Sequence, residues 1–243
     1  MSDVNPLSVL IVGESGTGKT ASLRNLKDQE RWYYLNAEAG KQPPFRHKFM
    51  NGGFRIEDPY QVHEAFDVAR EDPNCIGVIT DTVTFLMDMV ESQYVLTSAN
   101  TQRAWGEFAQ FFKILMQDKT VKLKKPAIFL AHTLRTLDES KGEWMVSVPV
   151  KGSLKNQGIE AYFSTVVATK KVRIKDLEKY QNDLLDITDE ERELGFKHVF
   201  QTRTTKETTG ERIRSPMGLF TREQTYIDND VQLLLNHLNA YYS

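Results

Sequence analysis

The sequence predicts an α/β fold with a mostly parallel central sheet flanked by helices. Three observations carry this. Apolar runs of strand length recur at residues 7–12, 32–35, 76–81 and 126–132. Segments with helical spacing separate them. A glycine-rich stretch, 13–18, breaks the first run and leads into helix-compatible residues. Strands alternating with helices belong to a parallel sheet rather than to a sandwich or a bundle.

The elements follow in order. Residues 7–12, Leu-Ser-Val-Leu-Ile-Val, are nearly all apolar, as a parallel strand buried on both faces requires. A helix is expected over 19–27 and a second strand over 32–35. Residues 41–54 contain Pro43-Pro44 and Gly52-Gly53 and read as loop. Pro59 starts a helix over 60–70, with Val62, Ala65, Phe66 and Ala69 on its apolar face. The run 76–81 ends in the carboxylate of Asp81. Residues 83–96 are helical, and a further helix carries Trp105, Phe108, Ala109, Phe112, Leu115 and Met116 on one stripe, the pattern of a core face. The fourth strand ends at His132. Residues 133–160 are polar and read as a functional loop or small hairpin, and 161–169 as strand. The charged segment of about 170–195 reads as a solvated helix or surface insertion. Residues 197–203 and 211–220 are expected to pair as a C-terminal β-hairpin around Thr208-Thr209-Gly210-Glu211, before a terminal amphipathic helix over 228–242.

The chain has 243 residues, 40% hydrophobic and 26% charged, enough for one substantial core and a single domain over 1–243. No apolar run reaches membrane-span length, and the first residues lack the basic and apolar parts of a signal peptide, so no membrane and a cytoplasmic location are expected. Cys75, the single cysteine, excludes an intrachain disulfide and reads as a small core residue. The net charge of −2 does not point to nucleic acid, although a local basic patch suffices to hold phosphates. Lys119, Lys122, Lys124 and Lys125 form the densest basic cluster, read first as a solvated loop.

Residues 13–20 read Gly-Glu-Ser-Gly-Thr-Gly-Lys-Thr, which matches the P-loop pattern G-x-x-x-x-G-K-[ST]. Glycines let successive backbone N–H groups converge on a phosphate without Cβ clashes. Gly13, Ser15, Gly16, Thr17, Gly18, Lys19 and Thr20 are therefore candidate nucleotide-binding residues. Lys19 would reach the β- and γ-phosphates, and Thr20 would offer its hydroxyl to Mg²⁺. Asp81, after an apolar strand, either caps the next helix or orients Mg²⁺ through water, or does both. Glu38, following the second strand, is the candidate for handling the attacking water. His132, on the same sheet edge, either senses the γ-phosphate or is structural. No Asn-Lys-x-Asp motif for reading guanine is present.

The order of the P-loop, Leu35-Asn36-Ala37-Glu38, Val78-Ile79-Thr80-Asp81-Thr82 and then Ile128 to His132 resembles the RecA-type ATPase core. It is similar in particular to the short phage ATPases that include single-strand annealing proteins. The resemblance covers most of residues 7–170. It implies ATP and Mg²⁺ as cofactors, Glu38 as catalytic glutamate, Asp81 as the Walker B carboxylate, and Lys19 and His132 in catalysis. His132 stands where such proteins commonly carry a glutamine. The region after it, with Arg135, Lys141, Lys151 and Lys155, corresponds to a DNA loop, and Pro149-Val150-Lys151-Gly152 sits where these phage ATPases tend to have a Lys-Gly pair. The C-terminal hairpin resembles one that reaches a neighbour's nucleotide, which makes Lys206 and Arg212, among Arg203, Lys206, Arg212 and Arg214, candidate cations in trans.

The function so implied is a DNA-stimulated, phage-type ATPase that binds single-stranded DNA as a filament or ring and promotes annealing. Its implied partners are further copies of itself and a phage single-strand-binding protein, in the bacterial host cytoplasm if phage-encoded. The alternatives are a RecA-core motor or loader and a nucleotide-controlled protein-assembly module with little turnover.

Overall fold

The computed structural model describes residues 5–140 and 142–243. The strands are β1 (Ser8–Gly13), β2 (Trp32–Asn36), β3 (Phe54–Arg55), β4 (Gly77–Asp81), β5 (Ala127–His132), β6 (Leu134–Asp138), β7 (Glu143–Ser147), β8 (Thr165–Arg173), β9 (Phe196–Gln201) and β10 (Tyr226–Asp228). The α-helices are α1 (Tyr60–Glu71), α2 (Val83–Val90), α3 (Thr101–Ile114), α4 (Thr120–Leu123), α5 (Ile174–Leu177), α6 (Asp189–Leu194) and α7 (Val231–Tyr242). An eight-stranded sheet runs in the order β10-β9-β8-β1-β5-β4-β2-β3, and β6 and β7 pair separately. All pairs from β8 to β3 are parallel, and β9 runs against both of its neighbours.

The apolar strands are buried on both faces, and their residues alternate between two cores. Leu10 and Val12 of β1 join Val78, Phe129 and the inward stripes of α1, α2 and α3. Val9 and Ile11 join Ile79, Ile128, Leu130 and the Leu234, Leu235 and Leu238 stripe of α7. The aromatic stripe on α3 is core as the spacing predicts, with Phe108 and Phe112 fully buried. Side-chain caps start α2, α3 and α7. Thr82 accepts from Phe85 N, Asn100 from Arg103 N and Asp230 from Leu233 N. Cys75 is buried, as expected of a small core residue.

Three expectations fail. The segment after the glycine loop is not an α-helix but the 3₁₀ turn Thr20–Leu23. Residues 21–31 must return the chain to the start of β2, and a 3₁₀ turn climbs about 2.0 Å per residue against about 1.5 Å for an α-helix. The expected hairpin of 197–203 with 211–220 does not form. Instead β9 pairs antiparallel with β8 and β10, while residues 211–214 form no strand and meet the sheets through bridges of Glu211 to Val146 and Arg214 to Val166 and through the Lys170–Glu211 ion pair. The charged segment from 170 begins as strand, not insertion. β8 runs past the end of β1, whose Val12 pairs with Ala168, and its overhanging residues Lys170 to Arg173 pair with β9. The polar stretch from 133 contains the hairpin β6–β7. Among the described residues, no helix is long and apolar enough to cross a membrane.

Candidate functional site

The parallel registers set Gly13 beside His132, Leu130 beside Asp81 and Asp81 beside Asn36. The carboxyl ends of β1, β5, β4 and β2 therefore share one edge, and the loop 13–20 crosses it. β5 separates the loop's strand from the strand that ends in Asp81.

The loop is gripped from the β8–β9 side. A Cβ on Gly13 would lie 2.1 Å from Thr169 Oγ1 and 2.7 Å from Thr17 Oγ1. Thr17 Oγ1 donates to Glu14 O at 2.8 Å and shares a hydrogen bond with Thr169 Oγ1 at 2.5 Å. His198 Nδ1 donates to Thr17 O at 2.9 Å, and Asn229 Nδ2 to Gly18 O at 3.0 Å. Gly18 has φ +102°, a conformation L side chains rarely adopt. Because the loop leads into a single 3₁₀ turn, its attraction for an anion rests on loop N–H groups and Lys19 more than on a helix dipole.

Lys19 is 6% exposed. Its Nζ donates to Gly13 O and Glu14 O, both at 2.9 Å, and to His132 Nδ1 at 3.1 Å. An ammonium only donates, so Nδ1 accepts and the imidazole proton sits on Nε2. Nε2 in turn donates to Glu38 Oε1 at 3.3 Å. Lys19, His132 and Glu38 thus form a hydrogen-bonded chain across the edge. Burial lowers Lys19 to about 8, against the pull of the Asp81 and Glu38 carboxylates. The His132 hydrogen bond holds Glu38 below the usual carboxylate range despite partial burial. Lys41 Nζ lies 3.4 Å from Glu38 Oε2, and Asn36 Oδ1 fixes the turn by accepting from Glu38 N. His132 N donates to Thr84 Oγ1 at 2.8 Å.

Asp81 is 1% exposed. Its Oδ2 accepts from Tyr34 OH at 2.7 Å and Thr20 Oγ1 at 2.9 Å, while the buried Oδ1 has no partner. Burial raises Asp81 to about 6, with its two hydrogen bonds opposing. Burial and the facing carboxylate push the Tyr34 phenol far up, so it stays a donor. Thr20 spends its proton on Asp81, which leaves its oxygen lone pairs for a cation. A carboxylate with an unused oxygen beside a hydroxyl fits hydrated Mg²⁺, which takes few protein ligands and keeps waters and phosphate oxygens. Thr82, not Asp81, caps α2, so the capping alternative for Asp81 falls away.

A cleft of about 760 Å³ opens over these groups, lined by Gly16, Lys19, Thr20, Glu38, Asp81 and His132. Ser15 borders it too. A second cavity of about 360 Å³ lies behind the loop, against the β6–β7 hairpin. Arg135 faces it, its guanidinium 4.4 Å above the half-exposed Trp144 ring.

The other candidates do not join the cleft. Lys141 lies outside the described residues. Lys151 pairs with Asp88 at 2.9 Å and with Glu91. Lys155 is exposed on the turn Gly152–Asn156. Lys206 is 92% exposed beside Glu207. Arg212 Nη1 is held 3.2 Å from the buried Glu160 of its own chain. Three of the four lysines of the basic cluster 119–125 are held internally: Lys119 pairs with Asp67, Lys122 with Asp118, and Lys125 donates to backbone carbonyls of Ala69 and Asp72, while Lys124 is exposed. The cluster lies near the start of β5, at the opposite sheet edge.

Sequence reasoning missed Tyr34, Thr169, His198, Asn229 and Trp144. Tyr34 reaches Asp81 from β2. Thr169, His198 and Asn229 reach the loop from positions far along the chain, Trp144 lies on the hairpin itself, and none of the five stands in a motif. The chain matches no protein-family model and no curated protein sequence.

Proposed function

We propose that this chain binds ATP with Mg²⁺ at the loop 13–20 and hydrolyses it, within a RecA-like core that acts on single-stranded DNA. The observation that carries the reading is the convergence of Lys19, Thr20, Asp81, Glu38 and His132 on one cleft from four different strand ends.

In this reading the loop N–H groups and Lys19 hold the β- and γ-phosphates. Thr20 would hold Mg²⁺ and Asp81 would orient it through water, the ion supplying charge neutralisation on the phosphate oxygens. Glu38 orients the attacking water and accepts its proton. Its depressed pKa keeps it ionised, and a positioned base of this kind is worth ~10²–10⁴-fold in rate. Lys19 now donates to His132 and must turn toward phosphate when nucleotide enters. His132 then exchanges partners, and β6 begins two residues later. That short connection supports coupling of the phosphate state to the β6–β7 hairpin. The Arg135–Trp144 pair there combines the cation and aromatic face that single-stranded DNA sites use. Self-assembly into a filament or ring, annealing, and pairing with a phage single-strand-binding protein are what the RecA-type resemblance adds.

A second reading, a nucleotide-controlled protein-assembly module, draws on the exposed Leu137, paired across the hairpin with Trp144, and on the exposed Leu134. Hydrolysis measured for the wild type and Lys19→Ala, with and without single-stranded DNA at two salt concentrations, separates the readings. The expected result is turnover abolished by Lys19→Ala and stimulated by DNA, with salt suppressing the stimulation. Turnover surviving Lys19→Ala overturns the site, and a rate indifferent to DNA favours the assembly module.

A further inference from the structure

The 760 Å³ cleft has two ends of different character. One holds Lys19, Asp81, Glu38 and His132. The other lies across the loop, beneath α6 and the start of β9, and the phosphate chemistry makes no use of it. Leu194, Phe196 and His198 form its wall, with Arg24 alongside. Leu194 is 58% exposed, an unusual position for a large aliphatic chain over a polar cleft. Phe196 and His198 alternate along β9 and so share a face, their rings edge to face at 5.9 Å. Lys171 Nζ sits 3.6 Å above the Phe196 ring and steadies it. Arg24 is fixed by donating to Ala21 O and Asn229 O.

This wall is tied to the phosphate loop itself, through His198 to Thr17 O and Asn229 to Gly18 O. Since His198 Nδ1 donates to a carbonyl, Nε2 is left as an acceptor. Glu190, Glu191, Lys197 and Arg24 border the same end, with Lys197 paired to Glu191 at 2.7 Å, so its charges balance and a neutral group bearing hydroxyls or amines suits it.

We propose that Leu194, Phe196 and His198 form the nucleobase subsite of a nucleoside triphosphate. The base stacks on the Leu194–Phe196 surface, and His198 Nε2 accepts a hydrogen bond from the nucleoside. The inference rests on reading loop 13–20 as a triphosphate site. With the terminal phosphate toward Glu38 and Asp81, a triphosphate running along the loop leaves its nucleoside on the His198 side.

Calorimetric titration with Mg·ATP and with Mg·tripolyphosphate, which has no nucleoside, tests it in the wild type, Leu194→Ser and Phe196→Leu. The expected result is ATP affinity reduced by about tenfold in each variant, as for loss of a stacked base, with tripolyphosphate affinity unchanged within about twofold. Wild-type affinity for ATP in both variants overturns the subsite alone. So does a parallel loss of ATP and tripolyphosphate, which reports damage to the loop. A wild type that binds neither ligand removes the triphosphate reading and the subsite with it.

Discussion

At Asp81, stability conflicts with the metal-holding role proposed for it. Its folded pKa is raised by burial from 3.8 to about 6. A raised acid pKa means the folded state holds the proton more tightly than the unfolded chain. The contribution is therefore fully present below pH ~4 and is lost as pH rises through about 6. The shift corresponds to a loss of about 3 kcal/mol. Asp81→Asn keeps an oxygen for Tyr34 and Thr20 and removes the buried charge. Urea denaturation of the nucleotide-free protein should show the variant more stable at pH 7 by about 1–3 kcal/mol, without the fall between pH 4 and 6. Its Mg²⁺-dependent turnover should be lost. A variant less stable at pH 7 would mean that the Tyr34 and Thr20 hydrogen bonds require the charge. The carboxylates and Lys19 were legible because each stands in a strand-end motif. Tyr34 was not, since a tyrosine in an apolar run looks like core until β2 and β4 are paired.

At the scale of the element, the loop is held by a strand that the motif does not contain. Thr169 of β8 fills the space where Gly13 lacks a side chain. Gly13→Ala should destabilise by about 1–3 kcal/mol through overpacking. Thr169→Ala alone should cost ~1 kcal/mol, the typical net value of its hydrogen bond. The double variant should lose less than the sum, because the nearest clashing atom is gone while Thr17 still crowds the site. Thermal melts of the four proteins check this, and strict additivity would mean that Thr169 does not set the space at Gly13. The same strand explains the failed C-terminal hairpin. The edge of β8 away from β1 offers its backbone hydrogen-bonding groups along Ala168 to Arg173, and β9 satisfies them. Residues 205–214 then cross toward the β6–β7 hairpin, where a Cβ on Gly210 would lie 2.0 Å from Trp144 O. Turn residues at 208–211 suggested a local pairing, and a non-local one prevailed.

At the scale of the whole molecule, the proposed nucleotide site ties ligand binding to folding stability. A ligand bound by the folded state alone adds about 2.7 kcal/mol at one hundred times its dissociation constant. Mg·ATP should therefore raise the melting temperature of the wild type by several degrees, Lys19→Ala should show no shift, and EDTA should reduce the wild-type shift. Equal stabilisation of wild type and Lys19→Ala would mean that the nucleotide sits elsewhere. The distribution of cations belongs to this scale too. Lys119, Lys122 and Lys125 of the basic cluster are held by Asp67, Asp118 and backbone carbonyls at the sheet edge away from the loop. Arg135, beside the loop, is left for a partner to approach.

By itself the sequence determined the α/β class, the four central parallel strands, the glycine loop and the strand-end residues Asp81, Glu38 and His132. Those signals are local: strand periodicity, turn glycines, and a charged residue where an apolar run stops. Tertiary structure alone decided that the chain after the loop is a 3₁₀ turn and that β9 joins β8. It alone decided that Lys19, His132 and Glu38 form one hydrogen-bonded chain, and that Thr169, His198 and Asn229 hold the loop. The side-chain contacts of the cleft and the loop join residues 94 to 211 positions apart, and their geometry follows from strand order and register, which no local pattern encodes.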